Sequence, residues 1–214
     1  MSEYRTANLH QKYGHPDIVM EVAPDLGMGF EWMLSYFEEA IAGGRIFQEN
    51  QFVQFGWMMI MLRANEQGDL EIWEPRMDAM PIQWTRGATT TIRHLLVQRE
   101  VCAQFGVEPV FPTLLESAVI SDDFFGSQGF HMEREASQGG SDSGWLFKDF
   151  RAGGGRHCSL FEIVVNRPEV MPFLAMPVGS SVRISTSGID ASLDNRNVSS
   201  ISNGFLAKLV GYRG

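Results

Sequence analysis

Cysteine is nearly absent from this chain: Cys102 and Cys158 are the only two among 214 residues, and neither belongs to a Cys-x-x-Cys pair. That excludes a disulfide framework and points to a reducing compartment. Long apolar runs are missing too. The longest, Trp57 to Leu62, is far too short to cross a bilayer, and the polar start Met1-Ser-Glu-Tyr-Arg5 has no signal-peptide core. A cytoplasmic chain with no membrane partner is therefore expected. Basic residues are scarce, 17 Lys and Arg against 26 Asp and Glu, for a formal net charge of −9. Such a surface repels phosphates, so nucleic acid is not an expected partner, whereas a basic protein would be attracted.

Motifs that carry chemistry are also lacking. Neither GxxxxGK[ST] nor GxGxxG occurs, so no phosphate cradle is supported, and Gly153-Gly-Gly-Arg156 reads as a loop between strands. Cys102 follows His94 by eight residues on one expected helix. That is about 12 Å of rise, too far for a hydrogen bond. His131-x-Glu133 would place two ligands on one strand face, too few for a structural zinc. Asp122, Asp123 and Asp142 complete no ligand set on their own. No catalytic residue, metal or cofactor is assigned. The rival to a binding protein is a small hydrolase using His131, His157 and nearby carboxylates, or else a regulatory or small-ligand-binding protein.

What is present is material for a core: 44% of the residues are hydrophobic and 11% aromatic. Residues 1–28 show no periodicity and read as a loosely ordered lead-in. Phe30, Met33, Leu34, Phe37 and Ile41 mark one face of a helix that stops at Gly43-Gly44. Gln51 to Arg63 reads as one strand and Leu70 to Glu74 as its return, with a turn at Gly68; Met80 to Thr85, broken by Pro81, reads as an edge. Thr89 to Phe105 is a second helix, and Pro109 and Pro112 mark a joint. Beyond it come expected strands at Ser117 to Ser121, Gly129 to Arg134, Trp145 to Phe150 and Val182 to Ser185. Leu160 to Val165 could be strand or helix. Pro168 to Met176 suggests short helical turns, residues 186–203 a loop, and Gly204 to Tyr212 a last strand. Trp57, Trp73 and Trp84 are expected in the core, Trp32 at its border, and Trp145 is expected to be chiefly structural.

The expected class is α+β: two helices packed on an antiparallel sheet in residues 29–112, then a small, mostly antiparallel α+β domain in residues 113–214. Charge is uneven. Residues 29–80 hold nine acids and three bases, residues 113–150 seven acids and two bases, and residues 151–214 four acids and seven bases.

Four blocks in the second half occur in a fixed order: Ala118-Val-Ile-Ser-Asp-Asp123, Gly129-Phe-His-Met-Glu-Arg-Glu135, Ser141-Asp-Ser-Gly-Trp-Leu-Phe147 and Pro168 to Ser180. Over about residues 113–185 this pattern resembles the bacterial immunity protein family thirty-three of polymorphic toxin systems. His131-Met132-Glu133 stands where that family carries Tyr-Met-Tyr, and Arg151 to Arg156 replaces its acidic loop. The resemblance implies a small α+β domain that neutralises a cognate toxin by binding it without catalysis. Acidic side chains at strand ends and in loops, Asp122, Asp123, Glu133, Glu135 and Asp142, are the expected contacts with a basic toxin.

Overall fold

A computed structural model describes residues 1–149 and 154–212. The chain forms two compact units, Met1–Arg93 and His94–Gly214. The first contains β1 (Ser2–Arg5), α1 (Leu9–Tyr13), β2 (Ile18–Val22), α2 (Trp32–Ala42), β3 (Phe52–Phe55), β4 (Met58–Ala64), β5 (Leu70–Pro75) and β6 (Trp84–Arg86). Its sheet runs β1-β2-β5-β4-β3, with β6 also paired to β5, and every pairing but the parallel β2–β5 is antiparallel. The apolar stripe of α2 is buried as its spacing dictates: Phe30, Met33, Leu34, Phe37 and Ile41 share one core with Ile18, Met20, Val53, Phe55, Ile60, Leu62 and Ile72. Each such side chain fully buried is worth about 1.5–3 kcal/mol.

Three expectations need correction in this unit. Residues 1–28 are not a loose lead-in, because Ile18, Val19 and Met20 are almost wholly buried in a strand that pairs with both β1 and β5. The single strand read over Gln51 to Arg63 is a hairpin, because Gly56 takes a φ of 63° and reverses the chain between β3 and β4. Trp57 is fully buried, but Trp73 and Trp84 are only partly so: Trp73 alternates with inward-facing Ile72 and Glu74, and Trp84 lies on the short strand β6, whose residues are all at least partly exposed.

Helix α3 (Thr89–Phe105) contains the division between the units. Its start is held by Glu74 of β5, which accepts hydrogen bonds from the backbone N–H groups of Thr90 (3.0 Å) and Thr91 (2.7 Å). Beyond His94, the Gln98 amide donates to the Met171 carbonyl and the Cys102 thiol to that of Ala175. A break at residue 112 was expected from the prolines. These hydrogen bonds tie the rest of the helix to the second unit instead.

The second unit adds β7 (Ser117–Ile120), β8 (Phe130–Arg134), β9 (Asp142–Asp149), β10 (Arg156–Ser159), α4 (Leu160–Asn166), β11 (Ser181–Ser185), β12 (Gly188–Leu193), β13 (Arg196–Ser199) and α5 (Gly204–Leu209). The sheet order is β10-β7-β9-β8-β11-β12-β13, antiparallel except between β7 and β9. Leu160 begins a helix because Ser159 caps it, its hydroxyl accepting from the Glu162 N–H at 3.1 Å. The stretch 186–203 is not simply a loop. Ile189, Ala191 and Leu193 alternate inward and form β12, and β13 pairs beside it. Where a strand was expected from Gly204, the chain forms helix α5, because Asn203 caps the N–H groups of Phe205 and Leu206, and Leu206 and Leu209 are spaced to share one helical face. The strand expected to reach Phe150 and the loop from Arg151 extend into residues 150–153, outside the described residues. The α+β expectation is met.

Candidate functional site

One face of the second unit's sheet is apolar and buried: Ala118, Ile120, Phe130, Met132, Trp145, Phe147, Val182, Ile189 and Ala191. The alternate positions form the other face, and two cross-strand rows define it. One runs His157, Val119, Leu146, Glu133, Ser181, Ser192, Asn197 from β10 to β13. The next runs Lys148, His131, Arg183, Asp190, Ser199. Every residue of both rows is partly or fully exposed.

The five expected contact acids do not gather in one place. Glu133 lies on this open face and is already engaged, 3.1 Å from the Lys148 ammonium and 3.6 Å from His131 Nδ1. Asp122 and Asp123 are exposed in the turn after β7, where with Gly126, Ser127, Gln128, Gly129 and the buried Asp149 they line a recess of ≈ 700 Å³. Sequence reasoning missed Asp149, although its carboxylate alternates with exposed Lys148 along β9. Glu135 and Asp142 stand at the opposite strand ends, at the β8–β9 loop. Asp142 and Asp149 are the two ends of β9, about 23 Å apart at roughly 3.3 Å per residue.

Asp142 is a loop anchor. Its two carboxylate oxygens accept from the N–H groups of Gln138 (2.7 Å) and Gly144 (3.0 Å). Those bonds, the Gln138 one foremost, hold its carboxyl below the usual carboxylate range. Gly144 takes a φ of 76°, and a Cβ there would lie 2.2 Å from the Glu135 carbonyl oxygen. The turn at the other end is fixed by Arg167, which donates to the carbonyls of Phe124 (2.7 Å) and Ser127 (3.1 Å) and pairs with Glu169 at 2.8 Å. Buried Arg134 donates to the carbonyls of Val110 and Met176, both at 2.6 Å, and its guanidinium lies over the Trp145 ring. Trp145 is fully buried and its indole N–H donates to Leu174 at 3.0 Å, as expected of a structural residue.

The groups a hydrolase would need are arranged differently from that rival reading. His131 and His157 sit on β8 and β10, with β9 and β7 between them. His131 Nε2 is 2.6 Å from Ser181 Oγ, and its other nitrogen faces Glu133. Ser181 lies within the ladder, with partners on both β8 and β12, so its peptide is not free to form an oxyanion hole. Among the described residues no group of three or more His, Cys, Asp or Glu side chains converges as a metal site. Among them, too, no helix is long and apolar enough to cross a membrane.

Residues 97–194, just under half of the chain, match the family model of the Imm33-like domain. The match falls wholly within the second unit and contains the blocks that carried the resemblance in the sequence, so that family likeness is upheld. No curated protein and no solved structure matches the chain.

Proposed function

Starting from the Imm33-like domain at residues 97–194, we propose that this chain is a non-catalytic, cytoplasmic binding protein that neutralises a cognate bacterial toxin. The family match is the observation that carries the reading. The net charge of −9 supports a basic partner, and both cysteines are free and buried, in keeping with a reducing compartment. Asp122 and Asp123 act as steering charges. Both are exposed, and the turn that bears them is pinned by Arg167.

The direct test expresses a candidate toxin with and without this chain. Equal killing in both cases refutes the immunity reading for that pair. Asp122→Asn with Asp123→Asn is expected to slow association several-fold, about what two exposed pairs of 0–1 kcal/mol each can supply. Added salt is expected to weaken the parent's association as well. Binding indifferent to ionic strength would remove the steering mechanism while leaving the binding function in place.

A further inference from the structure

We propose that the recess at the β8–β9 end of the open sheet face receives an arginine side chain of the partner. The proposal rests on the toxin-binding reading and gives it a specific contact. The recess has a volume of ≈ 770 Å³. Its floor is Val119 and Leu146, cross-strand neighbours of β7 and β9 that interrupt an otherwise polar face and remain partly exposed. Its rim carries the carboxylates of Glu135 and Asp142, and His157 closes the β10 side.

The two carboxylates differ. Each Asp142 oxygen already accepts one backbone N–H group, so part of its hydrogen-bonding capacity is committed to the loop. Glu135 is exposed and, among the described residues, its side chain makes no hydrogen bond or ion pair. Its backbone is nonetheless fixed, because its N–H donates to the Gly144 carbonyl at 2.9 Å and Gly144 packs where no Cβ fits. An apolar floor beneath an uncommitted carboxylate on a fixed backbone matches a long side chain with an aliphatic stem and a cationic head. An anion would meet two negative charges. A purely apolar side chain would strip water from Glu135 and return nothing. Among cations, a guanidinium offers a planar fork to a carboxylate and is less strongly hydrated than an ammonium.

The test is an amide NMR titration of the full chain with N-acetyl-arginine methylamide, set against its neutral citrulline isostere and the lysine analogue. The arginine probe is expected to shift the signals of Glu135, Gln138, Gly139, Gly144 and Leu146 saturably, in about the millimolar range, and Glu135→Gln to weaken it about five-fold. Citrulline is expected to leave those signals in place, and lysine to bind more weakly. Absence of shifts at these residues, equal shifts from citrulline, lysine binding as tightly as arginine, or an unchanged affinity in Glu135→Gln would each overturn the proposal. The titration is read without toxin. A chain that protects cells yet fails it keeps the toxin-binding reading and loses this one, and a chain that fails to protect leaves the titration result standing.

Discussion

His94 sets a pH limit on the second unit. It is 2% exposed on α3, and burial pushes its imidazole from the ordinary value of 6.5 down to about 3. The folded chain therefore refuses a proton that the unfolded chain accepts. Stability from this group is complete above the unfolded value and is lost as pH falls through the window between about 6.5 and 3. Linkage puts the loss at about 1.4 kcal/mol by pH ~5.5 and about 2.7 kcal/mol by pH ~4.5. Carboxylates also titrate at the acid end, so the useful quantity is a difference between proteins. Urea unfolding of the parent and of His94→Gln, at about pH 7.5 and again at about pH 5.5, isolates the histidine because shared contributions cancel. The parent is expected to lose about 1.4 kcal/mol more than the variant between those conditions, whatever the variant's stability at neutral pH. The His94 ring resonances should remain those of a neutral imidazole across that range. Parallel losses in the two proteins, or a His94 ring that titrates near its ordinary value, would refute the reasoning.

Trp145→Ala removes a fully buried indole and its hydrogen bond to Leu174, and is expected to cost about 3–5 kcal/mol, read as a marked fall in Tm. A variant that melts like the parent but loses its partner would place Trp145 in the interface instead. Gly144→Ala is expected to destabilise by at least about 1–3 kcal/mol, because a left-handed φ and a Cβ 2.2 Å from the Glu135 carbonyl oxygen act together; chemical denaturation checks it. Glu74→Ala leaves two N–H groups at the start of α3 without their carboxylate and is expected to cost about 0.5–2 kcal/mol, with faster amide exchange at Thr90 and Thr91.

Legibility in the sequence followed the range of the interactions involved. Helices α2 and α3 could be read because stripe, spacing and terminal glycine are all local. The β3–β4 turn was hidden because Gly56-Trp57 interrupts an apolar run without polar turn residues. Strand β12 and helix α5 did carry signals, at Ile189, Ala191 and Leu193 with a period of two and at Leu206 and Leu209 with a period of three. Both lay inside compositions dominated by Ser, Asn and Gly. The five candidate acids were legible as exposed charge but not as a constellation. The parallel pairing of β7 with β9 and the antiparallel pairing of β8 send Asp122 and Asp123 to one end of the strands and Glu135 and Asp142 to the other. That register is set by pairings between residues far apart in the chain, which no local pattern reports.

Two buried arginines give those separated acids a common physical logic. Arg167 holds the carbonyls of the turn that follows Asp122 and Asp123, with its guanidinium over the rings of Phe124 and Phe130. Arg134 immediately precedes Glu135 and is bound to carbonyls from Val110 and Met176. Burying a guanidinium costs several kcal/mol unless its hydrogen bonds are met. Arg134 offsets part of that cost with main-chain oxygens bound by one terminal nitrogen, while its Nε is buried without a partner among the described residues, and burial disfavours its charged form. Hydrophobic packing alone could have filled the same space. What the arginines add is a hydrogen-bonded path for the chain beside the acids. Ordering such segments at the moment of binding costs about 0.5–1.5 kcal/mol per immobilised side chain, and a surface fixed beforehand avoids that loss. The desolvation cost is thus borne once, in folding; under the proposed binding role, the backbone that carries the exposed carboxylates would need no further ordering.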